Sequence, residues 1–593
     1  MANGAAVGED RARAVIGARL AVGLIQGLAL YSLSQAASHK VWPATIPNLL
    51  EALMFAVCYA PFILLDGLSN LRRYTLVAWT AIAALVLAGL AWHDAASRLT
   101  DVAVGNYFFS GPFPLALFSG AALFVAHHLI EAADIEQRPI AQYGLYFDLA
   151  WKHAVQLALT ATFVGVFWGA LELGAALFKL IKIDALFDLI NEPWFSLPTT
   201  GVVLAAAIHL TDVRHGLIRG IRTVGLTLLS WLLPVMTLIA VAFLTALPFT
   251  GLAPLWATRS AGSALLSAAA LLIILINATY QDGAPDAPPP AVLRWTARVA
   301  ALALVPLAAI AGYGVGLRIG EHGLTPQRVA AAACFVVASG YALGYAAAAV
   351  WPGPWLKRLE ATNIATAVVV IGVILALFSP LADPARISAA DQMKRLEDGR
   401  ITSDKFDYEF LRFRSGRYGI EALKALRARA TGPDAAVISK RAAAALVQAQ
   451  PTYTGFTATT TKPLVDRITV YPQGQRLPAG FLGQDWSASY PEPLCLMSQN
   501  TCDAFIVDLD GDGTPEILLT SGSELTVFKA GPNGVWASAG TLVPDCPTTI
   551  EAMKAGRMQA VAPAPSPWRN LDVGGNRLHL VEPLNDCRTP AKK

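Results

Sequence analysis

From Ile364 to Phe378 the chain carries no charged side chain, and ten earlier runs are also predominantly apolar, with few charges within them. An apolar run of about 18 to 20 residues matches a ~30 Å hydrocarbon core, and in lipid an open-ended backbone must satisfy its polar groups within a helix. The first run follows Arg11 and Arg13. The others lie at about 47–65, 75–93, 111–130, 153–173, 198–212, 223–246, 261–279, 297–317, 327–350 and 362–379. The expectation is an α-helical polytopic membrane bundle of about 11 spans. Composition agrees: 55% of residues are hydrophobic, 15% are charged and mean hydropathy is +0.48, outside the range of ordinary soluble chains. The partner this requires is the lipid bilayer. A net charge of +3 gives no field that would recruit nucleic acid, so no nucleic-acid partner is expected.

An odd number of spans puts the chain ends on opposite sides, and Lys and Arg set the direction. With the N-terminus inside, the inner loops collect about twice the basic residues of the outer ones, Arg72, Arg73, Arg138, Arg214, Arg219, Arg222, Arg294, Arg298, Lys357 and Arg358 among them. Residues 1–13 then form a cytoplasmic N-terminus and 14–379 the transmembrane domain, with a Pro-rich linker at 281–291. Arg19 is placed to snorkel toward the inner interface. A signal peptide with Ser34–Ala37 at its cleavage site is the alternative for the first run, but that run is long enough to span and more spans follow. Residues 174–197 alternate apolar and charged residues and predict an amphipathic helix in the outer interface.

Beyond the last span the chain turns polar. Pro380 and Pro384 stop the helix, Ser388 to Asp391 offers a capping box, Gly399 a left-handed C-terminal cap, and Ser403 or Asp404 a second N-cap. Phe406, Tyr408, Phe410, Leu411 and Phe413 are expected to pack on the later domain or at the membrane surface. A helical neck over 380–450, with an Ala-rich helix at 433–449, precedes a β-rich domain over 451–593. Its short runs Arg467–Val470, Phe505–Val507, Glu516–Leu519 and Leu525–Phe528 read as strands, giving a small α+β extracytoplasmic domain with antiparallel β hairpins.

The run from Ser379 to Leu423, SPLADPARISAADQMKRLEDGRITSDKFDYEFLRFRSGRYGIEAL, resembles the bacterial domain-of-unknown-function 4153 family, as do Arg318–Arg328 and the helix bearing Leu24 to Leu28. The resemblance covers most of the chain. It implies a multi-pass protein of the bacterial inner membrane with a C-terminal periplasmic part, and it brings no catalytic residues.

Of the six cysteines, Cys58 and Cys334 sit in apolar runs as small hydrophobes. Cys495, Cys502, Cys546 and Cys587 all follow the last span, an even number in an oxidising compartment, so two disulfides are expected. Three pairings are open, with the local Cys495–Cys502 favoured.

The sharpest local motif is Asp508-Leu-Asp510-Gly-Asp512-Gly513-Thr514-Pro-Glu516. Acids at positions 1, 3, 5 and 9, Gly at 6 and the Thr514 carbonyl at 7 suit a hard cation with oxygen ligands, so calcium in a structural role is the expected cofactor. Leu519 at position 12 rules against an EF-hand and leaves a single calcium-type hairpin loop. A solvated turn is the competing reading.

A second group gathers at the inner ends of three spans: His127, His128 and Glu131, then His153, then His209, Asp212 and His215. His127 and Glu131 share a helix face, as do His209 and Asp212. Polar anchoring at helix ends is the favoured reading, with a transition-metal or proton-relay site as the sharper one. Glu51, Glu172 and Gln26 are further polar positions within spans. Walker A, Rossmann, Gly-x-Ser-x-Gly and His-Glu-x-x-His motifs are absent from the sequence, which argues against soluble enzyme chemistry. Three function classes remain. Non-enzymatic envelope maintenance or sensing stands first, then a transporter with its path through the bundle, then a membrane-embedded enzyme acting on lipid-linked substrates.

Overall fold

The structure, a computed structural model, describes residues 2–98, 112–213, 215–257, 261–283, 288–429, 431–432, 434–448, 464–484, 486, 496, 501–520, 524–531, 533–542, 548–561, 571–573 and 576–578. Its helices are α1 (Ala2–His39), α2 (Pro47–Asn70), α3 (Arg73–Ser97), α4 (Pro112–Glu136), α5 (Tyr143–Leu180), α6 (Ala185–Asn191), α7 (Pro193–Val213), α8 (His215–Thr250), α9 (Ala253–Ala257), α10 (Ala261–Tyr280), α11 (Ala291–His322), α12 (Pro326–Val350) and α13 (Leu359–Leu377). Among the described residues, 11 helices are long and apolar enough to cross a membrane; α6 and α9 are not. The expected interfacial helix at 174–197 is instead divided. α5 continues to Leu180, Lys182 takes a left-handed turn at φ 61°, and α6 and α7 follow. α5 also begins ten residues before the expected 153.

Without a hydrophobic drive between helices in lipid, close packing and interhelical hydrogen bonds must hold a bundle together. α11 supplies the small residues Ala297, Ala300, Ala301, Ala308 and Ala311, all buried against α8, α10 and α12. Near one end of that core Tyr143, Asn277, Tyr345 and Asn363, from four helices, close a ring of hydrogen bonds. α1 and α7 approach until their backbones touch: a Cβ on Gly23 would lie 2.2 Å from the Gly201 carbonyl oxygen, and one on Gly27 would lie 2.4 Å from Pro198 Cα. One turn before Gly23 this contact carries Arg19 to the end of α7.

The neck helices α14 (Pro384–Glu397), α15 (Tyr408–Arg414), α16 (Gly416–Arg427) and α17 (Ala435–Val447) belong to the same compact unit as the bundle, residues 1–451. Asp383, not Ser388, caps α14. Its Oδ1 accepts from the N–H groups of Ala385 and Arg386, while Ser388 is buried in the helix interior. Asp407 caps α15 in place of Ser403 or Asp404. Gly399 ends the α14 segment at φ 69°, as the sequence indicates. Phe406, Tyr408, Phe410 and Leu411 pack on Leu396, Leu423, Leu426, Ile438 and Ala442 within the neck itself. α14 also caps α11: Arg395 donates to the Gly320 and Glu321 carbonyls at 3.1 and 2.7 Å, and Asp391 accepts from Leu324 N–H at 2.7 Å. The Arg318–Arg328 and Ser379–Leu423 stretches therefore meet.

The second unit, 452–593, holds a five-stranded sheet in the order β1 (Ile468–Tyr471), β2 (Cys502–Val507), β3 (Glu516–Thr520), β4 (Leu525–Ala530) and β5 (Trp536–Leu542). β2 to β5 pair antiparallel as expected, whereas β1 runs parallel to β2. Among the described residues, helices α18 (Ala479–Gly483) and α19 (Thr548–Lys554) accompany the sheet, as does a separate hairpin of β6 (Leu571–Val573) and β7 (Asn576–Leu578). Phe481, Trp486, Phe528 and Trp536 form an aromatic core on one face.

Candidate functional site

The ends of α2, α4 and α5 bring five ionisable side chains together. Asp66 stands one turn before the end of α2, His127, His128 and Glu131 on α4, and His153 on α5. All three histidines are buried and Glu131 is 1% exposed. Asp66 lies between two imidazoles, with Oδ2 3.0 Å from His127 Nε2 and Oδ1 3.2 Å from His153 Nε2, the latter outside hydrogen-bonding alignment. Glu131 Oε2 has no hydrogen-bond partner and sits 3.7 Å from His153 Nε2 and 3.8 Å from His127 Nε2.

The surrounding donors fix the tautomers. An indole N–H can only donate, so Trp79 Nε1, 3.1 Å from His127 Nδ1, forces that nitrogen to accept and puts the His127 proton on Nε2, facing Asp66. On the other side the Phe124 carbonyl can only accept, so His128 Nδ1 donates to it. Neutral His128 then accepts at Nε2 from His153 Nδ1, 3.0 Å away. This leaves His153 Nε2 as a lone pair directed at two carboxylates. One more proton, on His153, Asp66 or Glu131, removes the repulsion.

A second half adjoins the first. Arg19, expected at the interface, is 0% exposed. Its Nε donates to the Leu65 carbonyl at 2.7 Å, and its Nη2 to Ser69 Oγ at 2.9 Å and to Asp212 Oδ2 at 2.8 Å; Nη1 lies 3.3 Å from His209 Nδ1. Lys152 Nζ is 3.5 Å from Asp212 Oδ1. Asn70 Nδ2 reaches Asp66 Oδ2 at 3.3 Å, and the Ser69 hydroxyl can serve Asn70 or Asp212, which joins the two halves. Arg19 and Lys152 offset two of the three carboxylates, Asp66, Glu131 and Asp212. One added proton neutralises the whole.

The expected group thus resolves into two sets: His127, His128, Glu131 and His153 around Asp66, and His209 with Asp212 around Arg19. His215 opens α8, but its side chain lies outside the described residues. Asp66, Trp79 and Lys152 are members the sequence does not single out, and Arg19 is one it assigns to the interface instead. Asp66, His127 and Glu131 each offer an oxygen or nitrogen within 4.8 Å of the others, the spacing a transition metal needs. Trp79 denies His127 the free Nε2 lone pair that a metal would require, so the arrangement suits a proton better.

The other polar positions lie outside this network. Gln26 donates to the Val57 and Cys58 carbonyls, Glu51 pairs with Arg98 near the opposite end of the bundle, and Glu172 is exposed on α5. Cys58 and Cys334 are free thiols, and Cys502 is buried at the start of β2; Cys495, Cys546 and Cys587 lie outside the described residues.

In the β2–β3 turn, Asp508 accepts from Gly511 and Gly513 N–H at 2.8 and 3.0 Å, and both glycines adopt left-handed φ of 76° and 86°. Asp508, Asp510 and Glu516 each bring one oxygen within 4.8 Å of the others. Asp512 turns aside, accepting from Thr514 N–H at 2.8 Å. Lys529 of β4 bonds Asp510, and Asp512 Oδ2 at 2.8 Å. Those two carboxylates hold its ammonium above the ordinary lysine range.

A helical bundle of eleven membrane-crossing lengths with a buried acid–histidine network at one end defines a polytopic membrane protein. The chain belongs to the family described as Domain of unknown function (DUF4153), which matches residues 21–426, from α1 through α16 of the neck. No curated protein and no solved structure matches the chain.

Proposed function

We propose that this is a proton-linked transport protein of the bacterial inner membrane, in which Asp66, His153 and Glu131 share one exchangeable proton. The observation that carries the reading is Asp66 held between two imidazoles beside the unpartnered Glu131, in a network one proton short of neutral. A charge costs about 2.5–3.5 kcal/mol at the bilayer centre on insertion scales and less toward the interface, yet these side chains are buried at the helix ends, where an apolar seam would join the helices without that cost. A transport role uses an exchangeable proton within the bundle, which envelope maintenance does not require. The basic bias of the loops favours a cytoplasmic N-terminus, which puts this network at the cytoplasmic end and the 452–593 unit in the periplasm. There Cys502 is read as one half of a disulfide.

The test is pH-difference infrared spectroscopy of the full-length protein in lipid. One imidazolium or carboxylic acid signal should titrate, and it should shift or vanish in both His153→Gln and Asp66→Asn. Absence of such a signal, or its persistence unchanged in both variants, overturns the reading.

A further inference from the structure

Glu516 is 3% exposed at the start of β3. Its Oε2 accepts from Leu509 N–H at 2.8 Å, but its Oε1 has no hydrogen-bond partner and points toward Lys529 Nζ, 3.9 Å away. A buried carboxylate oxygen left unsatisfied is costly, and the groups around it say what would satisfy it. Asp508 and Asp510 converge with it, all ligands are oxygens, and three of the loop's four acids, Asp510, Asp512 and Glu516, lie around a single ammonium. That negative excess and the Gly-rich turn suit a hard divalent ion of flexible coordination.

We propose that Asp508, Asp510 and Glu516 form a calcium site in which Lys529 is the resident cation that calcium displaces. The Lys529 side chain is 39% exposed, so its ammonium can swing into water without unfolding β4. Calcium places two charges where lysine places one, and it reaches Glu516 Oε1, which the ammonium does not bond. Asp512, bonded to Lys529 and the Thr514 N–H, is then released as an outer acid. The competition holds affinity down, near the 10⁻⁴ to 10⁻³ M of roughly typical extracellular modules. Magnesium, with its smaller octahedral shell and tightly held water, competes poorly for such a site.

Equilibrium dialysis of the full-length protein in detergent against ⁴⁵Ca²⁺ tests both halves. Wild type should bind one calcium per chain in the presence of excess magnesium. Asp510→Asn, an exposed isosteric change, should lose that binding. Lys529→Met keeps the aliphatic stem, removes the competitor and should tighten binding tenfold or more. Equal binding by wild type and Asp510→Asn, or no saturable binding at millimolar calcium, overturns the site. Binding by Lys529→Met that is no tighter than wild type overturns the competition.

Discussion

Arg19 offers the most exposing perturbation of the membrane network. Arg19→Met keeps the stem but removes the donor to the Leu65 carbonyl and the Nη2 donor to Ser69 and Asp212. Breaking a buried ion pair costs about 3–5 kcal/mol because one charge remains without its partner. Asp212 is only 8% exposed but retains the Ser69 hydroxyl at 3.0 Å and Lys152 at 3.5 Å, so the loss should fall near the lower bound, about 3 kcal/mol. Asp212→Leu leaves the guanidinium with the Leu65 carbonyl and Ser69, and should cost a similar amount. The double variant removes both charges, so its loss should be smaller than the sum of the singles by about 2–3 kcal/mol. Unfolding of the full-length protein in mixed micelles, followed by far-ultraviolet circular dichroism, measures all four corners of the cycle. Strictly additive singles, or an Arg19→Met loss under about 1 kcal/mol, would refute a buried Arg19–Asp212 pair.

Four further outcomes follow from the packing. Gly201→Ala should destabilise the bundle by about 1–3 kcal/mol because the α1–α7 backbones leave no room, whereas Gly165→Ala, with nothing within 4 Å, should be neutral in the same unfolding assay. Asn363→Ala opens the Tyr143–Asn277–Tyr345–Asn363 ring and should cost about 0.6–2 kcal/mol, read by the same method. Asp383→Ala removes the α14 cap and its 2.9 Å contact with His93, and should lower stability by about 1–2 kcal/mol and speed hydrogen exchange at Ala385 and Arg386. Maleimide labelling of denatured, unreduced protein should modify Cys58 and Cys334 but not Cys502; a labelled Cys502 would remove the disulfide from the reading.

The spans were legible because a hydrocarbon-length run without charge has few other structural uses. The same logic hid Asp66. An acid after Leu65 reads as the end of a span, yet α2 runs on to Asn70 because Asp66 is satisfied by α4 and α5 rather than by water. Arg19 was misjudged in the same way, since snorkelling and a partner on α7 look alike until the α1–α7 contact is known. Asp383 followed by Pro384 is a cap followed by an N1 proline, but the proline was read only as a stop. In the C-terminal unit the four β-branched runs became strands. β5, with Ala, Ser and Gly between Trp536 and Leu542, lacks that signature, and the parallel direction of β1 is not written in the composition of its run. The acid loop was visible as a motif, while Lys529, 19 residues beyond Asp510, enters only through the pairing of β3 and β4.

The Arg19–Asp212 pair also constrains the order in which the protein can be made. Its members are separated by 193 residues, about 10–40 s of synthesis at 5–20 residues per second. Throughout that interval the first span has emerged with an uncompensated guanidinium, and its glycine face has no backbone to meet. α1 therefore cannot settle on arrival. Its native seat is complete only once α7 is delivered, so a chain that ends before Asp212 leaves Arg19 without its carboxylate and Gly23 without the backbone it packs on.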